Sequence, residues 1–478
     1  MNRQLQQFQY NDNMKQYGEI TGDMFRLGDE DRGMPYRPTV SVITNRYKLE
    51  GEGEGEGEDN NDIGNNYNKY NDFDLYNEQS NIDVLYHDPN SDFMSNFKYS
   101  DISEDHKILS NHNSNPMSRI VNEFTFTFLH QFSNNLKNKK SIILSPFNIF
   151  EALCLLYIGS NQATEKELRT YFGLPGKKQT FDNLYKINNE LIKTNVVSLM
   201  NLVCVPYYFN LNTGYTTYIS NIGNIMKINP RNASREIQKI NGLVSQATNG
   251  MVNNLMSSNM ITNDTALLLI NTIYFYSKWK KPFNTIHTKI EMFNGINKRE
   301  VYMMSQTNTI HNYYEDKYNQ VLEMEYLNND FVFGIILPRQ GYADINITSE
   351  QYYYYVSQLK SQEISTLKIP KLKYETRYAI ENLFKKYGMR QIFTDADVSD
   401  IIPKNDHNTK YWVDKIIHNA IIIVDESGTK AAASTSMSLL TNSIATPKQR
   451  IDFIANHQFL YYIRHVASNC IIFIGKYY

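Results

Sequence analysis

The segment that most constrains this chain follows a strongly β-forming run at residues 421–424. It reads Asp425-Glu426-Ser427-Gly428-Thr429-Lys430-Ala431-Ala432-Ala433-Ser434-Thr435, and residues 431–447 carry no charge. The bland reading is an exposed Ala/Ser loop. Yet the side chains are small on both faces. Such a segment can slide between two strands of an existing sheet. Small side chains cross the sheet at little steric cost, and each inserted residue satisfies open ladder groups. Gly428 supplies the backbone freedom a hinge needs there. An added strand also requires a sheet to receive it, so the rest of the chain has to supply one.

The chain divides near residue 117. Residues 1–116 hold Asn, Asp, Gly, Glu and Tyr with little apolar periodicity, including an uninterrupted Gly-Glu alternation at 51–58 and an Asn/Asp-rich stretch at 59–72. Such a stretch buries too little apolar surface to offset the entropy of ordering, so a low-complexity, disordered extension is expected. Its tyrosines, Tyr67, Tyr70, Tyr76, Tyr86 and Tyr99, are contact points for a partner or a tolerated tail; the tail is the simpler reading. From residue 117 the texture changes. Phe124, Phe126, Phe128, Leu129 and Phe132 predict a helix over 117–134, and Ile149, Phe150, Leu153, Leu156 and Tyr157 a buried helix over 147–159. Thr164 with Glu167 three positions on reads as a capping box for a helix over 165–172. Strands are expected at 142–144, 266–275, 321–326, 331–337, 421–424 and 470–476. Helices first and strands later, without βαβ alternation, predict an α+β domain with a large antiparallel or mixed sheet.

Composition closes several routes. Hydrophobic residues make up 41% of the 478, enough for a sizeable core, so wholesale disorder is excluded. Lys+Arg 48 against Asp+Glu 50 leaves no basic excess for nucleic acid. The three cysteines, Cys154, Cys204 and Cys470, form neither a disulfide scaffold nor a metal-ligand spacing, and read as buried thiols in a reducing compartment. No metal and no cofactor are expected. Residues 1–13 are polar and lack a signal-peptide core, so an intracellular or non-classically released protein is expected, away from membranes. No nucleophile elbow, phosphate loop, His-Glu-x-x-His helix or Cys-x-x-Cys pair occurs, which argues against an enzyme.

Several motifs, in order, carry a resemblance. Ser145-Pro146-Phe147-Asn148-Ile149 comes first, continued by Gly159 and Thr164. Asn271-Thr272-Ile273-Tyr274-Phe275 follows, with Trp279, Pro282-Phe283, Thr288, Phe293, Val301 and Met303-Met304. Pro370-Lys371, Gly388-Met389, Phe393 and Ala396-Asp397 come next. Phe453, Ala455-Asn456-His457, Phe459, Ile463-Arg464 and Phe473-Ile474-Gly475-Lys476 close the series. With the 425–435 segment, these resemble the serpins, the serine-protease-inhibitor family, over about residues 117–478. Departures are Asn148 where the family usually has Ser, Ser160 and Gln162 in the turn after Gly159, and Asn456-His457-Gln458 without the common Pro.

The resemblance implies a serpin domain at 117–478 with three β-sheets, eight or nine helices and a reactive-centre loop at about 426–447. It implies an inhibitory member, of viral type, carrying a long N-terminal extension. The abundance of Asn, Lys, Ile and Tyr suits an AT-rich genome. A protease would cleave the loop, form an acyl-enzyme, and be trapped as the loop enters the main sheet. Hinge residues are then Glu426, Gly428, Thr429, Ala431, Ala432 and Ala433. With period two, Thr429, Ala431, Ala433, Thr435, Met437 and Leu439 face inward. A latch under the sheet opening falls to Ser145, Asn148, Asn271, Trp279 and His418. Counting seventeen residues from Glu426 inclusive puts the scissile bond at Asn442-Ser443, within a window reaching Pro447. Asparagine there fits a serine or a cysteine protease with an asparagine-accepting pocket, or recognition through Leu439 and Leu440. The expected partner is that protease, met by a monomer. The rivals are a non-inhibitory carrier or chaperone of the same fold, and a structural protein whose main role lies in residues 1–116.

Overall fold

The computed structural model describes residues 115–136, 139–339, 345–403, 410–429 and 450–478, and the backbone of Asp83–Val84. The last is a two-residue strand, β1 (Asp83–Val84). Helix α1 (Pro116–Asn135), β2 (Ile142–Leu144), α2 (Pro146–Gly159), α3 (Gln162–Phe172) and α4 (Lys177–Lys193) follow. Then come β3 (Val197–Pro206), α5 (Thr213–Ile219), β4 (Asn224–Ile228), α6 (Ala233–Ala247), β5 (Leu267–Phe275), β6 (Ser277–Lys278), β7 (Lys289–Asn294), β8 (Lys298–Glu315), β9 (Asn319–Glu325) and β10 (Phe331–Pro338). The chain ends through α7 (Ser349–Gln358), β11 (Lys360–Pro370), β12 (Leu372–Ala379), α8 (Glu381–Lys386), β13 (Val413–Val424), β14 (Gly428–Thr429), β15 (Asp452–Ile454), β16 (Phe459–His465) and β17 (Cys470–Tyr477). The expected disordered extension lies outside the described residues apart from Asp83, Val84, Asn115 and Pro116.

Helix α2 is the axis of the domain. Ser145 Oγ accepts from the Asn148 backbone N–H at 3.3 Å, and Pro146 occupies the first turn, where a missing N–H costs nothing. All 14 residues of the helix are buried. Hydrophobic on every side, it belongs inside a core rather than on its surface.

The first sheet runs β1-β12-β13-β5-β3-β4, with β6 and β14 at one end of β13. Its central pair, β5 and β13, is parallel, and β5 is buried along its whole length. Both faces are covered, as a central parallel pair requires. Leu269 and Ile273 join the main core; Leu268 and Ile270 face a second core that includes Ile237, Ile240 and Val244 of α6.

The second sheet runs β15-β11-β8-β9-β10-β16-β17-β2, with β7 on the other side of β8. The 18-residue β8 pairs with β7, β11 and β9 along successive stretches. Two of the three sheets implied by the resemblance therefore share one long strand and form a continuous ladder. Eight α-helices occur among the described residues.

One local expectation is corrected. Thr164 and Glu167 do not form a capping box. Helix α3 starts earlier, with Asn161 at its N-cap and no side-chain cap bond. Thr164 Oγ1 instead accepts from Asp397 N at 2.8 Å, and the Glu167 carboxylate accepts from Arg390 N at 2.9 Å and Gln391 N at 2.8 Å. The spacing suited a local box, but both side chains satisfy backbone groups of a distant segment instead.

Candidate functional site

The β5–β13 seam is closed over part of its length only. Pairing runs from Val413↔Leu267 to Ala420↔Ile273. Beyond Ala420, β13 continues to Val424 with β12 as its partner, and β5 continues to Phe275 with β3. At the far end, β14 pairs antiparallel with both β13 (Val424↔Thr429) and β6 (Gly428↔Lys278, Thr429↔Ser277). Gly428 and Thr429 of the expected hinge thus occupy the mouth of the seam, between the strands on either side.

A turn reverses the chain into this position. Asp425 Oδ1 accepts from Ser427 N at 2.8 Å and Gly428 N at 3.2 Å, the local bonding that favours Asp in turns. Asp425 N donates to Gly428 O at 2.9 Å. Burial, and next the charge of Glu426, push the Asp425 carboxyl above its usual range. Gly428 has φ +153, and a Cβ there would lie 2.3 Å from Ser277 O and 2.6 Å from Lys278 Cα, so the position requires glycine.

Thr429 is 2% exposed, and its hydroxyl shares a 2.6 Å hydrogen bond with the buried Tyr326 hydroxyl. Trp279 stacks on Tyr326 with centroids 4.6 Å apart and 13° between planes. Its indole Nε1 donates to Asp425 O at 2.8 Å and its backbone N–H to Ser427 O at 2.9 Å. Glu426 is buried. Its carboxylate meets Lys371 Nζ at 2.7 Å and accepts from Thr288 Oγ1 at 2.6 Å; its carbonyl accepts from Phe283 N at 2.8 Å.

Lower in the seam, His418 of β13 lies opposite Asn271 of β5. The backbone N–H of Ser145 donates to His418 Nε2 at 3.1 Å. That fixes Nε2 as acceptor and leaves the proton on Nδ1, which donates to Asn271 Oδ1 at 2.6 Å. All three residues are 0% exposed. Burial lowers the imidazole pKa to about 3, so it stays neutral at physiological pH.

The structure brings Ser145, Asn271 and His418 together, with one difference in chemistry. Ser145 reaches His418 through its backbone, because its hydroxyl caps α2. Asn148 is buried beside them, but its side-chain amide has no hydrogen-bond partner. Trp279 stands at the mouth with Glu426, Gly428 and Thr429. Ala431, Ala432, Ala433, Asn442 and Ser443 lie outside the described residues. Sequence reasoning missed Tyr326 as the partner of Thr429, because nothing local marks a contact made 103 residues away. Thr288 and Lys371 were quoted as motif residues without their role as partners of Glu426. Cys154, Cys204 and Cys470 are all buried and free. Among the described residues, no cluster of His, Cys, Asp and Glu could hold a metal ion, and no helix is long and apolar enough to cross a membrane.

Comparison with known proteins fits this geometry. The family model described as Serpin (serine protease inhibitor) matches residues 119–478. An uncharacterized serpin-like protein of Acanthamoeba polyphaga mimivirus is 30% identical over 380 residues, covering 76% of this chain and 92% of the relative. Serine protease inhibitor 42Dd of Drosophila melanogaster is 28% identical over 359 residues, covering 73% and 94%. Among solved structures, Serpin48 of the insect Tenebrio molitor superposes with a TM-score of 0.65 at 23% identity, covering 75% of this chain and 97% of that one. Human thyroxine-binding globulin, solved in complex with thyroxine, gives 0.66 at 21% identity, covering 76% and 98%.

Proposed function

The chain belongs to the serpin family, and from that premise we propose that it is a suicide-substrate inhibitor of a protease. A serine hydroxyl or cysteine thiol of the target attacks the carbonyl of the scissile residue. The peptide bond breaks, the new amine leaves with a proton, and an acyl-enzyme remains. The freed loop then enters the seam between β5 and β13, carrying the bound protease with it before water can complete the reaction.

The observation that carries this reading is the position of Thr429, buried at the mouth of a seam whose strands have stopped pairing with each other. The Val424↔Thr429 register, continued antiparallel, would set Ala431 opposite Ile422, Ala433 opposite Ala420, Thr435 opposite His418 and Met437 opposite Ile416. Val424, Ile422, Ala420 and Ile416 belong to the main core, so this register supports an inward face made of the small alternate residues. Lys430 would fall opposite Ile423, on the other face. The gain is a new strand: ladder hydrogen bonds on both sides and burial of that face.

The bait is the Asn442-Ser443 bond, and the target is a serine or cysteine protease that accepts asparagine. A panel holding both classes tests this. The expected result is an SDS-stable complex with one of them and a released C-terminal peptide beginning at Ser443. Cleavage by every protease with no complex would overturn the inhibitor reading and put the non-inhibitory carrier ahead of it.

A further inference from the structure

Beneath the seam lies a carboxyl group that loop insertion does not use. Glu151 sits on α2 one turn beyond Asn148 and is 1% exposed. Asn201 of β3 donates to its Oε2 at 3.2 Å, and the amide of Asn188 on α4 also bonds to it. Asn201 pairs in register with Asn271, the partner of His418. Glu151 therefore links α2 to β3, the strand beside β5.

The donors and acceptors do not balance for a carboxylate. Glu151 Oε1, Asn188 Oδ1 and Asn201 Oδ1 are all buried acceptors without a donor. No cation is among the partners of Glu151. A proton on Oε1 supplies a donor to a cluster that otherwise holds only unpaired acceptors. A neutral acid also avoids the cost of burying an unpaired charge.

We infer that Glu151 is held as the neutral acid and acts as a proton-dependent latch between α2 and β3 that resists opening of the sheet. It is separate from the His418 contact, which joins β13 to β5. Burial raises its pKa to about 8, against the two amide bonds that lower it. The titratable groups facing it are Cys154 on its own helix and Cys470 on β17, both kept as thiols by burial. β3 and α4 present amides, and no charged group of α1, α3 or β5 is among its interactions in the described residues.

A folded pKa above the unfolded value means that the native state holds the proton more tightly. The stability of the latch is then complete below pH 4.5, falls as pH rises, and is lost once pH passes about 8. The inference rests on sheet opening as the functional motion, but its test needs no protease. Full-length parent and Glu151→Gln, which keeps the shape and supplies donors at any pH, are compared at pH 5 and pH 8. Expected is amide exchange in β3 and β5 near parity at pH 5, and several-fold faster in the parent at pH 8. Melting temperatures should diverge in the same direction. An exchange ratio that does not change with pH would overturn the latch. If the variant fails to fold, infrared titration decides the case, with the Glu151 band identified as the one that shifts in Asn201→Ala, because burial also raises the carboxyls of Asp425 and Glu381. A protonated-carboxyl band at pH 7 that fades near pH 8 supports the inference, and its absence at pH 7 overturns it.

Discussion

The two ends of the β5–β13 seam are held by different chemistry. At the mouth, Gly428 and Thr429 are already paired as strand β14. Its fastenings are a hydroxyl pair, Thr429 with Tyr326, and an ion pair, Glu426 with Lys371, whose lysine side chain is 23% exposed. Lower down, the strands pair directly and a neutral, fully buried imidazole joins β13, β5 and α2. Lys371 is partly exposed, so water can take its place as the ion pair opens, although Thr429, Tyr326 and Glu426 are buried. The lower contact has no such substitute, since breaking it strands buried donors and acceptors. Opening should therefore begin at the mouth and meet its resistance at His418. The lower region also holds an unbonded Asn148 amide and an unbonded Asn271 Nδ2. Their unmet hydrogen bonds raise the energy of the closed state and favour a rearrangement that satisfies them.

The largest expected effect breaks the mouth. Thr429→Arg would force a long charged side chain against Tyr326, and burial of an unpaired charge is costly enough to stall insertion. Trapping should be lost while cleavage continues at the same bond, as seen by SDS gel and peptide sequencing. Lys430→Glu, on the outward face, should change trapping far less.

Next comes the lower latch. His418→Ala removes the partner of two buried groups and leaves a cavity, so it should cost about 2–4 kcal/mol in thermal or denaturant unfolding. It should also alter the pH dependence. A buried imidazole of lowered pKa contributes stability that is complete above pH 6.5 and lost as pH falls toward about 3. His311 and His465, both lowered to about 4 by burial, act in the same direction. The variant should therefore lose less stability than the parent between pH 6.5 and pH 4.

Two smaller changes sharpen the contrast. Lys371→Met leaves Glu426 with Thr288 as its remaining side-chain partner and should cost about 1–3 kcal/mol. Tyr326→Phe removes one hydroxyl from the hinge and should cost about 1 kcal/mol. Both should alter Trp279 fluorescence, because that ring stacks on Tyr326 and bonds to Asp425. A fluorescence change of the same size from His418→Ala would show that the two ends are not independent.

Much of this was legible in the sequence, for identifiable reasons. The hinge stood out because a charge-free run of small residues after a β-forming run has few other uses. The buried helix at α2 was visible in its apolar positions, and Ser145-Pro146 marked its start. What escaped were choices made by tertiary contacts. Thr164 and Glu167 had the spacing of a local cap but bond to residues 390–397. Ser145 could be placed in the latch, but not the fact that its backbone rather than its hydroxyl would meet His418. Glu151 was not singled out within the expected buried helix, because its partner Asn201 lies 50 residues away in the sequence.

The central claim is that the intact chain is held short of its most stable form and that the loop is the missing strand. Cutting once within residues 435–447 with a non-target protease, then comparing melting temperatures, tests it most directly. About ten inserted residues at about 1 kcal/mol each give a gain of order 10 kcal/mol. At about 2 °C per kcal/mol, the cleaved form should melt about 20 °C higher. A cleaved form that melts at the temperature of the intact chain would contradict the account.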